Sequence, residues 1–239
     1  MALENYVPHI ERKIPAWFRA YRAVIRLFVK KPRFVRLGSE EEEPSVIVSN
    51  HEGAAGPMTW EMYYSKLKTF WVAHENTEGL RSVYRYLAHL YFPQKKHILK
   101  WLSAAFAFVA SPFVWLFYVG LSAIPTYSAP DKLISTVRMS ETELTHGCSV
   151  IIFPEDSSSG YFKKPAKFFG GFVLLCDRML KKGVDLPVLV TYFSKKRRIL
   201  VFDEPIRYSV LRRLHGSREV IAEKLRQRMC ELADISDRA

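Results

Sequence analysis

Cysteine is scarce and unpaired in spacing: Cys148, Cys176 and Cys230 are odd in number and far apart, in apolar or helical surroundings. That pattern excludes a disulfide framework and a zinc knuckle and fits reduced thiols in a cytoplasm. The first ten residues hold Glu4 and Pro8 with no apolar run, so no cleaved secretory leader is expected. The histidines His9, His74, His89, His97, His146 and His215 show no metal-ligand spacing, and no metal site is expected. A phosphate-cradling glycine loop, a Gly-x-Ser-x-Gly elbow, internal repeats and low-complexity tracts are all missing. What the 239 residues do have is apolar mass and positive charge. Hydrophobic residues make up 49% of the chain and the net charge is +12. The first excludes a solvated tail protein. The second points to anionic partners: a phospholipid surface, nucleic acid, or a phosphate-bearing small molecule.

The hydrophobic pattern switches period along the chain. Between Pro15 and Lys30, Trp17, Phe18, Tyr21, Val24, Ile25, Phe28 and Val29 fall at helical spacing, while Arg19, Arg22, Arg26 and Lys30 form a second stripe. This is a basic amphipathic helix, suited either to a membrane interface with its arginines on anionic headgroups or to packing on its own domain. The acidic run Glu40–Glu43 reads as a solvated loop. The chain is read as a single domain, with residues 1–43 an N-terminal basic amphipathic helical region and 44–239 the α/β domain. Ser45–Ser49 reads as a buried strand, 57–68 as a helix opened by Pro57, Thr69–Ala73 as a strand, and 78–91 as a helix. Alternation of this kind predicts a mixed, mostly parallel sheet flanked by helices.

The stretch from Trp101 to Ile124 carries no charge and has the length of a bilayer crossing. A true span would separate His51 from Phe153 by a membrane, and Pro112 and Gly120 divide the run. The expectation is a buried helix, or one dipping into a single leaflet, then a strand from Leu121 to Thr126. Ser128 to Asp131 looks like a helix start, with Ser128 as N-cap, and Gly147 like its end. Cys148–Phe153, Leu186–Tyr192 and Ile199–Phe202 read as strands, and Lys195–Arg198 as a solvated hairpin turn. Ser217 caps a last helix with Val220, Ile221, Leu225, Met229 and Leu232 inward.

Four segments in order carry a resemblance. Val46–His51 ends in Asn50-His51; Ala123–Ser128 contains Ile124-Pro125; Ile151–Ser159 contains Phe153-Pro154-Glu155; and Asp185–Val190 contains Leu186-Pro187-Val188. Together they resemble the four motifs of the glycerolipid acyltransferases over roughly residues 44 to 205. The resemblance implies His51 as general base, removing a proton from a lipid hydroxyl that attacks acyl-CoA or acyl-ACP. It implies no cofactor beyond that thioester, a membrane-lipid acceptor such as a lysophospholipid, and residence at the cytoplasmic face of an anionic membrane, peripheral or monotopic. Nucleic acid is not an expected partner.

The chain departs from the family pattern at three places. Gly56 stands at the aspartate that orients the histidine, Asp156-Ser157-Ser158 stands for Gly-Thr-Arg, and Ser128 stands at a second arginine. Loss of both arginines leans away from a small phosphate monoester as acceptor. The carboxylates that could replace the missing aspartate are Asp156, Glu155, Glu61 and Glu52, in that order. Asn50, Tyr127, Ser157, Ser158, Lys163, Lys164 and Lys167 are the candidate substrate-binding residues. Gly56 and Asp156 favour a second reading, a non-catalytic relative that binds lipid or acyl-CoA.

Overall fold

In the computed structural model the chain is described over residues 6–40, 44–121, 123–127, 129–158 and 160–239, with backbone alone for 130 and 131. Ser128, Ser159, most of the 40–43 run and the Asp131 carboxylate therefore lie outside the described residues.

Val46–Ser49 (β2) is buried at every position, as a central strand covered on both faces must be. It is the middle of a sheet ordered β1 (Arg33–Arg36), β7 (Ile199–Phe202), β6 (Pro187–Ser194), β2, β5 (Ser149–Ile152), β3 (Lys68–Ala73) and β4 (Ile124–Thr126), with β8 (Ile206–Arg207) also pairing β6. The pairs from β6 across to β4 are parallel, whereas β7 and β8 run antiparallel to β6. The fold is thus α/β, with a mixed and mostly parallel sheet. β1 pairs with β7, so the stretch before residue 43 contributes an edge strand to the sheet.

Alternation along β2 divides the core. Val46 and Val48 pack with α5 (Pro130–Thr145), α6 (Gly171–Lys181), α7 (Tyr208–His215) and α8 (Arg218–Arg238), while Ile47 packs on the other face with α1 (Ala16–Phe28), α2 (Ala55–Tyr63) and α4 (Lys100–Leu121). Ser217 caps α8 by accepting the Val220 N–H, but Val220 itself points to solvent, contrary to expectation, because it lies off the Ile221–Leu225–Met229–Leu232 stripe.

The apolar run is one unbroken helix of 22 residues with Pro112 inside it. Gly120 does not break it. A Cβ there would come within 2.0 Å of the Phe18 ring, so the glycine is where α1 lies against α4. Nor is the helix buried: Trp101, Phe108 and Val109 are 71%, 76% and 65% exposed. It is the one described helix long and apolar enough to cross a membrane, by length and composition. The strand after it starts at Ile124, not Leu121, which is the last helical residue. Between β3 and α4, a shorter helix α3 (Leu80–Tyr86) widens into π-helical turns over Leu87–Lys95.

Candidate active site

Parallel β2 and β5 are adjacent, with Val48 opposite Ile152, so Asn50-His51 and Pro154-Glu155 leave the sheet side by side at the carboxyl ends of the strands. That edge is where open α/β sheets place their ligands. Asn50 is fully buried. Its amide donates to the Phe193 carbonyl at 2.9 Å and its side-chain oxygen accepts the Phe193 N–H at 2.6 Å. It therefore continues the β2–β6 ladder by one side-chain rung, directly before His51.

After His51 the chain reverses through Glu52 and Gly53, both at positive φ, +45° and +66°. A non-glycine residue in this region is uncommon and strained. The reversal brings the Gly53 carbonyl onto the His51 ring at Nδ1. A carbonyl oxygen only accepts, so Nδ1 carries the hydrogen, and in the neutral ring Nε2 is left with its lone pair. The ring lies between Phe153 and Tyr161, each 5.0 Å away between centroids. Burial pushes its pKa down to about 4; the Gly53 carbonyl opposes this, and the charges of Lys95 and Lys96 reinforce it.

None of the four candidate carboxylates bonds the ring. Glu155 Oε1 accepts the backbone N–H of His51 at 2.7 Å. Asp156 turns back on its own loop, accepting the Ser158 N–H at 3.0 Å. Glu61 is engaged by Arg22 at 3.2 Å and Lys68 at 3.5 Å, away from the ring. The Glu52 carboxylate is influenced by the Lys195 backbone. Among the described residues no carboxylate hydrogen-bonds the imidazole.

Burial pushes the Glu155 carboxyl up to about 7, with the Glu52 charge adding to it, against the His51 N–H and Lys95. Native Glu155 therefore holds a proton that the unfolded chain releases between pH 4.5 and 7, and its stabilisation is lost as pH rises through 7. His51 has the opposite sign, with stability lost as pH falls from 6.5 towards 4. In a comparison with Glu155→Gln the His51 contribution is common to both proteins. The amide oxygen can still accept the His51 N–H. The variant should match wild type near pH 5 and exceed it at pH 8 by up to about 3 kcal/mol, measured by denaturant unfolding. Identical pH profiles would refute the assignment.

The remaining candidates divide. His51, Glu155, Tyr127 and Ser157 line one cavity of about 730 Å³. Ser158 is exposed. Lys163 pairs with Asp237, and Lys164 with Asp234 at 2.7 Å, fastening the loop to α8. Lys167 is exposed and lies over the Phe169 ring. None of these four positions lines the cavity. Lys95 takes the place foreseen for the loop lysines. Its ammonium donates to Ser157 Oγ at 2.7 Å and faces the Tyr161 ring. Lys96 also lies over Tyr161. Lys95 ends the π-helical turns and Lys96 follows directly, and the sequence of this stretch shows no such role. The rest of the cavity is an apolar wall from α4, with Phe113, Val114 and Phe117, and a polar end with His74, Glu75 and Asn76.

No family model and no curated protein matches the sequence. The structure is similar to the crystal structure of the 1-acyl-sn-glycerophosphate (LPA) acyltransferase PlsC from Thermotoga maritima, with a TM-score of 0.52 and 14% sequence identity over 93% of this chain and 79% of that one. The chain has the glycerolipid acyltransferase fold. In this fold His51 and the Phe153-Pro154-Glu155 segment line one cavity. At position 56 a Cβ would meet the His51 carbonyl oxygen at 2.4 Å and the Asn50 carbonyl oxygen at 3.0 Å. Glycine is required there by the packing of this turn, and the Gly53 carbonyl holds the ring nitrogen Nδ1.

Proposed function

We propose that the chain transfers a fatty acyl group from acyl-CoA or acyl-ACP to a hydroxyl of a membrane lipid, with His51 as general base. The observation that carries this is the His51 tautomer: Gly53 fixes the Nδ1 hydrogen and leaves Nε2 as acceptor inside a cavity with an apolar wall. Nε2 takes the hydroxyl proton as the oxygen attacks the thioester carbonyl carbon. The C–S bond then breaks, and the imidazolium returns the proton to the leaving thiolate. Imidazole at a depressed pKa is a weak base but is wholly neutral at pH 7, and Lys95 supplies positive charge where negative charge develops on the carbonyl oxygen. The acyl chain is taken to lie along Phe113, Val114 and Phe117. The site needs no cofactor beyond the thioester.

The same reading places the protein at the cytoplasmic face of a membrane, monotopic. Tyr21 of α1 donates to the Phe113 carbonyl of α4 at 2.8 Å, joining two helices that both carry exposed apolar side chains. Leu27 and Phe28 of α1 are 79% and 80% exposed. Large exposed apolar side chains on two joined helices are the kind of surface that meets a membrane or a partner. Of the basic stripe, Arg22 and Arg26 instead donate to the carbonyls of Glu61 and Met62, which leaves Arg19 and Lys30 exposed to meet headgroups. Exchanging Phe28 and Phe108 for aspartate should weaken sedimentation with anionic vesicles by more than about 10-fold at unchanged melting temperature. Unchanged partition would remove the interfacial assignment.

The acyl-transfer reading is tested with radiolabelled acyl-CoA and acyl-ACP offered with total membrane lipids. A labelled lipid supports it and identifies the acceptor class. The absence of product with either donor, from folded membrane-bound protein, favours a non-catalytic lipid or acyl-CoA binder, a reading to which the lack of a carboxylate on the imidazole gives weight.

A further inference from the structure

At the end of the cavity fed by β3, His74, Glu75 and Asn76 form one helical turn. The turn is locked: the His74 carbonyl accepts the Thr77 N–H at 2.9 Å, the Thr77 hydroxyl at 2.8 Å and the Glu78 N–H at 3.2 Å. Two of its side chains are satisfied by protein. His74 Nδ1 lies 3.2 Å from Glu75 Oε2, and its ring stacks on Tyr127 with centroids 4.7 Å apart. Asn76 is different. It is 5% exposed, it lines the cavity, and its carboxamide oxygen has no hydrogen-bond partner among the described residues. A buried carbonyl left without a donor destabilises the fold, and nearly all such groups in folded proteins have a partner. Here the orphan oxygen belongs to the wall of the reaction cavity.

We propose that Asn76 is a substrate-recognition residue, whose side-chain oxygen accepts a hydrogen bond from a neutral N–H or O–H group of the bound substrate. The proposal rests on the acyl-transfer reading for the identity of the substrates. Two sources offer that chemistry: the amide N–H groups of the thioester's carrier arm, and a hydroxyl on the polar headgroup of the acceptor lipid. A bare phosphate suits the position poorly, since Glu75 is the adjoining wall residue and the orphan atom is itself an acceptor.

The test uses Asn76→Leu, close in volume, with Asn76→Ala as a second variant should the first fold poorly. Binding is read without turnover, from the shift in melting temperature produced by palmitoyl-CoA and, separately, by lysophosphatidylglycerol. One of the two ligands should bind the variants about 10- to 100-fold more weakly. Loss confined to palmitoyl-CoA assigns the oxygen to the carrier arm, and loss confined to lysophosphatidylglycerol assigns it to the headgroup. The ligand-free Asn76→Leu protein should melt no lower than wild type, because an unpartnered buried carbonyl has been removed. Equal binding of both ligands by wild type and variants would overturn the proposal, as would a lower melting temperature with both ligands weakened alike, or no binding of either ligand by wild type. Because no turnover enters these readings, failure here is separable from failure of the labelled-acyl assay, which tests the reaction itself.

Discussion

Replacing His51 by alanine is expected to lower kcat/KM for acyl transfer by about 10²- to 10⁴-fold, the usual contribution of a positioned general base, while leaving the fold intact. The fold should survive because the bonds that hold the turn are made by other atoms: Asn50 to Phe193, the His51 backbone N–H to Glu155, and the Gly56 N–H to the His51 carbonyl at 3.1 Å. His51→Gln should fall as far, since a carboxamide can still donate to the Gly53 carbonyl but takes no proton near neutral pH. The dependence on pH separates a base from a merely structural histidine. With burial, Lys95 and Lys96 holding the ring near pKa 4, the acid limb governed by His51 should lie well below the ordinary histidine range. Removing a positive neighbour by Lys95→Met should move that limb upward. Near-wild-type transfer by His51→Ala would end the general-base assignment, and an acid limb indifferent to Lys95 would remove the electrostatic account of it.

The parts of this fold that could be read from the chain are those where one local pattern has one structural solution. β2, β5 and β6 are continuous runs rich in β-branched residues, buried at every position, and their boundaries fall within a residue or two of the apolar runs. α8 shows its cap and its buried stripe. α6 is as legible: Phe172, Val173, Cys176 and Met179 repeat at helical spacing and are buried. β1 was hidden because Arg33-Phe34-Val35-Arg36 is an edge strand with mostly exposed side chains, which leaves little apolar signal. At the site, the two strand-end motifs could be found but their neighbours could not. Sequence adjacency put Asp156 beside Glu155, yet Asp156-Ser157-Ser158 is also the signature of an aspartate turned onto its own backbone, and that local bond prevailed. Lys163 and Lys164 lie next to the motif, but Asp234 and Asp237, one turn apart on α8, hold them. Lys95 reaches Ser157 across 62 residues of chain through the π-helical turns, a contact that only the assembled fold creates.

Gly56 provides the second large effect, and its sign opposes what the resemblance alone would suggest. Restoring the family's aspartate by Gly56→Asp should not rebuild a histidine–carboxylate pair. The new Cβ would sit 2.4 Å from the His51 carbonyl oxygen and 3.0 Å from the Asn50 carbonyl oxygen, both of them backbone atoms that no rotamer change can move aside. Relief requires displacing the His51 backbone or the first turn of α2, and either displacement disturbs the bond from the Gly56 N–H to the His51 carbonyl. Overpacking of this kind costs about 1–3 kcal/mol, and a shift of about 1 Å at the base can cost about 100-fold in rate. Gly56→Ala carries the same Cβ without the carboxylate and should lose a similar amount of both stability and rate, which assigns the damage to the backbone contact and not to the added charge. The check is the melting temperature and kcat/KM of the two variants side by side. If Gly56→Asp transferred acyl groups faster than wild type, the turn would have room for the aspartate, and the Gly53 carbonyl would not be the group that fixes the His51 tautomer. If both variants lose stability and rate together, this chain has exchanged a side-chain carboxylate for a main-chain carbonyl in orienting its histidine. A carbonyl lacks the negative charge that would stabilise an imidazolium, which is consistent with the depressed pKa of His51 and with a base that depends on Lys95 and burial for its working range.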